Sequence, residues 1–116
     1  MTSARPDEDR MLDISEAMAA IANRVKTRED FDGDEVLRVW CLHHIVVIGE
    51  AASRVSDALR GRYPALPWRR VIAMRNAVVH GYFEVGWDQV WTVVERDLEP
   101  LRVEVEKILS AEEWTM

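Results

Sequence analysis

The sequence predicts an all-α fold, an up-and-down bundle of four main helices. Apolar residues recur at helical spacing through nearly the whole chain, and no useful stretch alternates as a half-buried strand would. Only three turn signals interrupt the pattern. The 116 residues read as one domain, residues 1–116, long enough for a single core and too short for two.

The first helix is expected from about Asp7 to Lys26, with Leu12, Ala19 and Val25 among its apolar positions. Acids in its first turn favour the helix dipole. The acidic, glycine-bearing "DFDGD" from Asp30 to Asp34 breaks it. A second helix is expected from about Asp34 to Arg60, where Leu37, Trp40, Cys41, His44, Ile48, Ala51, Ala52, Val55 and Leu59 fall on one stripe. Ile45, Val46 and Val47 carry apolar character further around the cylinder, which suits a central helix with several neighbours. "RGRYPALP" ends it, and Pro67 suits the first position of a third helix running from Trp68 to about Val79. After "HGYFEVG", a fourth helix covers roughly Trp87 to Leu109, with Val90, Trp91, Val94, Leu98, Leu101 and Val105 on its core face. Pro100 should kink or restart it, since proline lacks the N–H and crowds the preceding turn. Short connections between long helices make neighbours mostly antiparallel.

Hydrophobic content of 48% with 31% charged residues describes a soluble globular protein. The longest run without a charged side chain, Val39 to Gly49, is too short to span a bilayer. The start "MTSARPDEDR" has no apolar core of a signal peptide, so a cytoplasmic location and no membrane partner are expected. The single cysteine, Cys41, excludes an internal disulfide and a cysteine-rich metal site. A net charge of −6 would ordinarily argue against nucleic acid, but its distribution does not. From Ala58 to Phe83 there is no acid, while Arg60, Arg62, Arg69, Arg70 and Arg75 all fall there; the 21 acids lie elsewhere. Such a segment either focuses a phosphate-bearing ligand or pairs with the acidic helices around it.

Within it, "MRNAVVHGYF" (74–83) places an arginine in an apolar stripe. With Val71 at 0° and about 100° per residue, Val78 lies near 340°, Met74 near 300° and Val79 near 80°. Arg75 lands near 40°, inside that arc, whereas Asn76, Arg69 and His80 fall on the far side at about 140–180°. An unpaired buried guanidinium would cost several kcal/mol, because it cannot lose its proton. Arg75 therefore pairs with a carboxylate such as Glu50, snorkels to water, or faces a subunit interface that forms an anion site. His80 reads either as a polar residue favouring the helix C-terminus or as a functional group, and Tyr82 could simply cap the core. Cys41 and His44 share C-x-x-H spacing, which suits a core pair better than a metal site.

The run Arg75-Asn76-Ala77-Val78-Val79-His80-Gly81-Tyr82 resembles the motif of the HEPN superfamily of helical ribonucleases. It is most similar to the HepT type, with Arg, four residues, His, any residue and Tyr. "IGEAA" (48–52), "YPALPWRRVIAMRN" (63–76) and "VWTVVERDL" (90–98) resemble the corresponding stretches in the same order, so nearly the whole chain is covered. Two departures are visible: Gly86 where such proteins often offer a capping Asp, and Gly81 between His and Tyr. The resemblance implies a homodimer whose third helices and motifs meet across a two-fold axis. It implies a metal-independent endoribonuclease with Arg75 and His80 catalytic and Asn76 supporting; the acid-free basic segment adds Arg69 and Arg70 as the residues expected to hold RNA phosphate. No cofactor is called for. It further implies a toxin of a type VII HepT/MntA-like toxin–antitoxin system. The partner is then a minimal nucleotidyltransferase antitoxin that adenylylates Tyr82. The alternative is a non-catalytic HEPN-type module that binds RNA or a nucleotide, or serves as a nucleotidyltransferase's interaction partner; a third reading is an inert helical dimerisation protein.

Overall fold

The computed structural model describes the backbone of residues 6–81 and 86–114, with the side chains of 78–81 excepted. Its first helix, α1 (Asp7–Arg24), starts behind Pro6 with Asp7, Glu8 and Asp9 in the first turn and Arg24 in the last. Charges of these signs oppose the helix dipole at both ends. Met11, Ile14, Met18 and Ile21 form the buried stripe and Val25 closes it, while Leu12 is exposed.

The acidic linker contains a short helix that the glycine signal alone does not reveal, α2 (Arg28–Asp32). Thr27 caps it by accepting the Asp30 N–H, and Asp34 caps the next helix by accepting the Leu37 N–H. α2 contributes one side chain to the core. Phe31 is fully buried, with its ring centroid 6.2 Å from Trp87 and 5.4 Å from Trp91.

The central helix is α3 (Glu35–Ser53), packed between α1 and the helix that carries the arginine motif. By length and composition it could cross a membrane. Its position in the bundle accounts for the same apolarity, since Leu37, Cys41, Ile45, Ile48, Ala51 and Ala52 are all buried in the core. Ile45 takes the core position that the expected stripe assigned to His44. His44 instead turns its Nδ1 to the Trp40 carbonyl at 2.8 Å.

The second helix does not run unbroken to Arg60. α3 ends at Ser53, and α4 (Asp57–Arg62) follows after a turn. The reason is local. The Ser56 hydroxyl accepts the Leu59 N–H as an N-cap, and the Asp7 carboxylate accepts both the Ser56 N–H and its hydroxyl, at 3.0 and 2.6 Å. Arg60 then donates to the carbonyls of Ser53 and Val55, filling acceptors that a helix end leaves open.

α5 (Trp68–Gly81) carries the motif and runs two residues beyond the expected end. α6 (Trp87–Thr92) begins at Gly86, which offers no side-chain cap. The helix does not restart at Pro100, which lies inside α7 (Leu98–Ala111); a π turn, Val93–Asp97, precedes it instead. There the Leu98 N–H reaches back five residues to the Val93 carbonyl. α7 then packs Leu98, Leu101, Val105 and Ile108 inward, partly against α1. The four main helices of the bundle are α1, α3, α5 and the α6–α7 shaft.

Candidate active site

α5 lies unusually close to α3, and one glycine permits it. A Cβ placed on Gly49 would fall 2.2 Å from the Arg75 Cβ, 2.9 Å from its Cγ and 3.2 Å from the Val71 carbonyl oxygen. Val71 is buried in the seam, and Arg75 follows one turn later. Gly49 thus explains how a long polar side chain occupies an apolar stripe: its stem lies over bare backbone.

The guanidinium emerges at the edge of the seam, with only 20% of the side chain exposed. Its Nη2 sits 3.5 Å from Glu50 Oε1, and Glu50 also faces Arg54 at 3.8 Å. Both distances exceed the 2.7 Å of the Arg102–Glu99 pair on α7, so the first of the three outcomes, pairing with Glu50, is realised only loosely. Arg75 Nε is shut off from water with no hydrogen-bond partner. A buried donor left in that state costs about 1–3 kcal/mol, and native structures tolerate few of them. This arginine is held in place with donor capacity to spare.

The remaining candidates do not cluster with it. Asn76 turns to the outer side of α5, where it lines a groove of about 660 Å³ with Arg60, Arg69 and Arg70. Arg69 is exposed and makes no hydrogen bond or ion pair among the described residues. Arg70 pairs with Asp97 at 2.8 Å, which neutralises it. Arg60 was not among the expected site residues. Its two bonds to carbonyls fix its geometry, and it makes no ion pair among the described residues. The sequence carried one clue, its place in the acid-free basic segment; the reach back to Ser53 and Val55 depends on a helix break that periodicity does not show.

His80 lies on the last turn of α5 by its backbone, and its side chain is outside the described residues. Tyr82 lies outside them altogether. Five residues of regular helix place positions 75 and 80 about 140° apart. The other chemical candidate is inert: Cys41 is fully buried, and burial pushes its thiol up to about 11, against a weaker opposing effect of Arg24. A thiol that resists ionisation is a poor ligand and a poor nucleophile. Among the described residues, no group of three or more His, Cys, Asp or Glu is placed to hold a metal ion.

Comparison with known proteins converges on one family. The model of the HepT-like ribonucleases matches residues 11–108. The "Probable ribonuclease HepT" of Thermococcus cleftensis is 30% identical over 106 residues, 90% of this chain and 96% of that protein. "Putative RNase MJ1216" of Methanocaldococcus jannaschii is 30% identical over 102 residues, 86% of this chain and 84% of that protein. "Putative RNase MJ1380" of the same organism is 27% identical over 77 residues, 66% of this chain and 71% of its own. No solved structure gives a significant match. With an all-helical bundle of the expected order and a family match across most of its length, the chain belongs to the HepT-like ribonuclease family and is an endoribonuclease.

Proposed function

We propose that the chain cuts RNA without a metal ion, using the ribose 2′-OH as nucleophile, at a composite site formed where two copies meet. Arg75 is the observation that carries this reading: a guanidinium fixed over Gly49, loosely paired with Glu50, its Nε lacking any partner. A phosphate oxygen approaching that fork would gain charge-assisted hydrogen bonds that Glu50 does not supply at 3.5 Å.

In the proposed step the 2′-oxygen bonds to phosphorus while the bond to the 5′-oxygen breaks. His80 takes the 2′-OH proton or delivers one to the leaving 5′-oxygen, since an imidazole titrates near neutrality. Arg75 stabilises the charge gathering on the non-bridging oxygens. Asn76 orients its neighbours and Arg69 holds an RNA phosphate; Arg70 joins it only where the RNA phosphate displaces Asp97. Continuation of α5 through Gly81 supports the composite arrangement, because positions 75 and 80 then face different ways within one chain. Two exposed valines near the start of α3 support a partner nearby. Val36 is 78% exposed and Val39 52%, and from them helical spacing leads through Val46 to Glu50.

The test is a pair of RNA substrates that differ at one ribose. With 2′-deoxyribose at the cut site the strand should survive, whereas the all-RNA version is cut equally fast with a chelator present. Its products should end in a 2′,3′-cyclic phosphate, read by mass spectrometry. Cleavage of the deoxy substrate, or loss of activity to the chelator, would sink the mechanism. Light scattering on the same sample completes it: an active monomer would remove the composite site.

We further propose that this is the toxin of a type VII pair in the cytoplasm, neutralised when a MntA-like nucleotidyltransferase adenylylates Tyr82. Tyr82 follows His80 by two residues, so an adenylyl phosphate on its oxygen could reach the arginine that RNA phosphate needs. Tyr82→Phe should stay ribonucleolytic while becoming insensitive to the partner plus ATP. If the partner and ATP still silence that variant, inhibition runs by occlusion or by modification elsewhere.

A further inference from the structure

We infer that the groove on the outer side of α5 binds the RNA strand flanking the cut, with Arg69 and Arg60 as its phosphate contacts. This rests on the ribonuclease reading above and deepens it, because it assigns the substrate a path outside the motif. The groove has about 660 Å³ of space and, among the described residues, no carboxylate in its lining. In a chain of net charge −6, whose 21 acids all lie outside residues 58–83, that makes it an unusual surface.

Two of its cations make no ion pair among the described residues, and their properties are complementary. Arg60 is held rigidly by the carbonyls of Ser53 and Val55, at 2.8 and 3.1 Å, and these bonds leave its full charge in place. Arg69 is exposed and makes no ion pair among the described residues, so it can follow a flexible strand. Between them, Pro64 and Ile72 offer apolar walls suited to a base or ribose face, and a guanidinium plane can itself stack on a base. Asn76 closes the end nearer the motif and sits beside Arg75 in sequence. At about 1.5 Å of rise per residue, Arg69 lies roughly 16 Å along α5 from His80. At about 3.4 Å per stacked nucleotide, that distance suits a flank of a few nucleotides. A single phosphate would not fill it.

Counterion release provides the test. A fluorescein-labelled 12-nucleotide RNA is titrated by anisotropy against the full chain carrying His80→Ala, at several salt concentrations. Adding Arg69→Ala should weaken binding several-fold and reduce the slope of log affinity against log salt by about 0.7, the share of one single-strand phosphate contact. Arg102→Ala, which removes an equal charge from α7 at a position outside the groove's lining, should leave the slope unchanged. An unchanged slope for Arg69→Ala, an equal fall for Arg102→Ala, or a parent chain that binds no RNA at low salt would each overturn the groove. Cleavage by the wild-type chain is scored separately, so a wild type that cuts no RNA refutes the catalytic reading while the slope still judges the groove.

Discussion

Arg75→Ala and His80→Ala should each abolish measurable RNA cleavage while the helical signal and melting temperature stay near wild type. For His80 the expected loss is that of a positioned acid or base, about 10²–10⁴-fold. For Arg75 it is about 10²–10³-fold, the usual effect of removing one donor aimed at developing charge. Stability should change little in either case: among the described residues Arg75 makes a single long ion pair, its Glu50 side is 40% exposed, and Glu50 retains Arg54 nearby. The stem of Arg75 packs over Gly49, so some loss of contact is expected, yet far less than a core deletion would cause. Gel-based cleavage alongside circular dichroism decides the matter. A normal rate from either variant shows the roles to be wrongly assigned. Asn76→Ala should do less than either, because its side chain faces the groove and not the seam.

Gly49→Ala should destabilise the fold by about 2 kcal/mol, which corresponds to a melting temperature roughly 5–10 °C lower. Two effects oppose each other here. In a helix interior alanine is favoured over glycine by about 0.5–1 kcal/mol, so an exposed site would gain. The new methyl, however, would lie 2.2 Å from one carbon of Arg75 and 3.2 Å from backbone oxygen at Val71. A rotamer change cannot relieve a clash with Cβ, so α5 itself must retreat from α3, and the overpacking term wins. Cleavage should fall further than stability does, because the retreat carries Arg75 away from its register. Differential scanning calorimetry would expose the opposite result. A variant that melts at or above the wild-type temperature would mean the close approach is not a real constraint.

The long helices were legible because each carries a wide apolar stripe at unbroken spacing, as with Ile48, Ala51, Ala52 on α3 or Leu98, Leu101, Val105 on the last helix. What escaped was decided by single caps. Thr27 starts α2 ahead of the acidic linker, Asp34 starts α3 after it, and Ser56 with Asp7 divides the second helix, in a stretch whose apolar pattern continues through Val55 and Leu59. Periodicity cannot see such a break, because the core contacts persist on both sides of it. The candidate site was half legible. Arg75 announced itself as a charge among valines, but the partner that makes its position possible is a glycine on another helix. An isolated glycine in a helical run hints at close approach without saying to what. Arg60 was missed as a groove residue because its orientation depends on a helix ending at Ser53, seven residues earlier.

The π turn at Val93–Asp97 amounts to a phase correction in a rotating shaft. Val90 and Leu98 are both buried, at 3% and 5% exposure, though eight residues of regular helix would set them about 80° apart. One surplus residue taken up in the wider turn removes about 100° and returns them to within about 20° of one line. The same widening sits just ahead of Pro100, where an ordinary turn would press the ring against the carbonyl of residue 96. Losing one residue from this segment would therefore keep the inner faces of α6 and α7 in step, while bringing back the proline clash. Gaining one would turn the whole of α7 away from α1. The length of this helix is free to vary in one direction only, and only together with a change at Pro100.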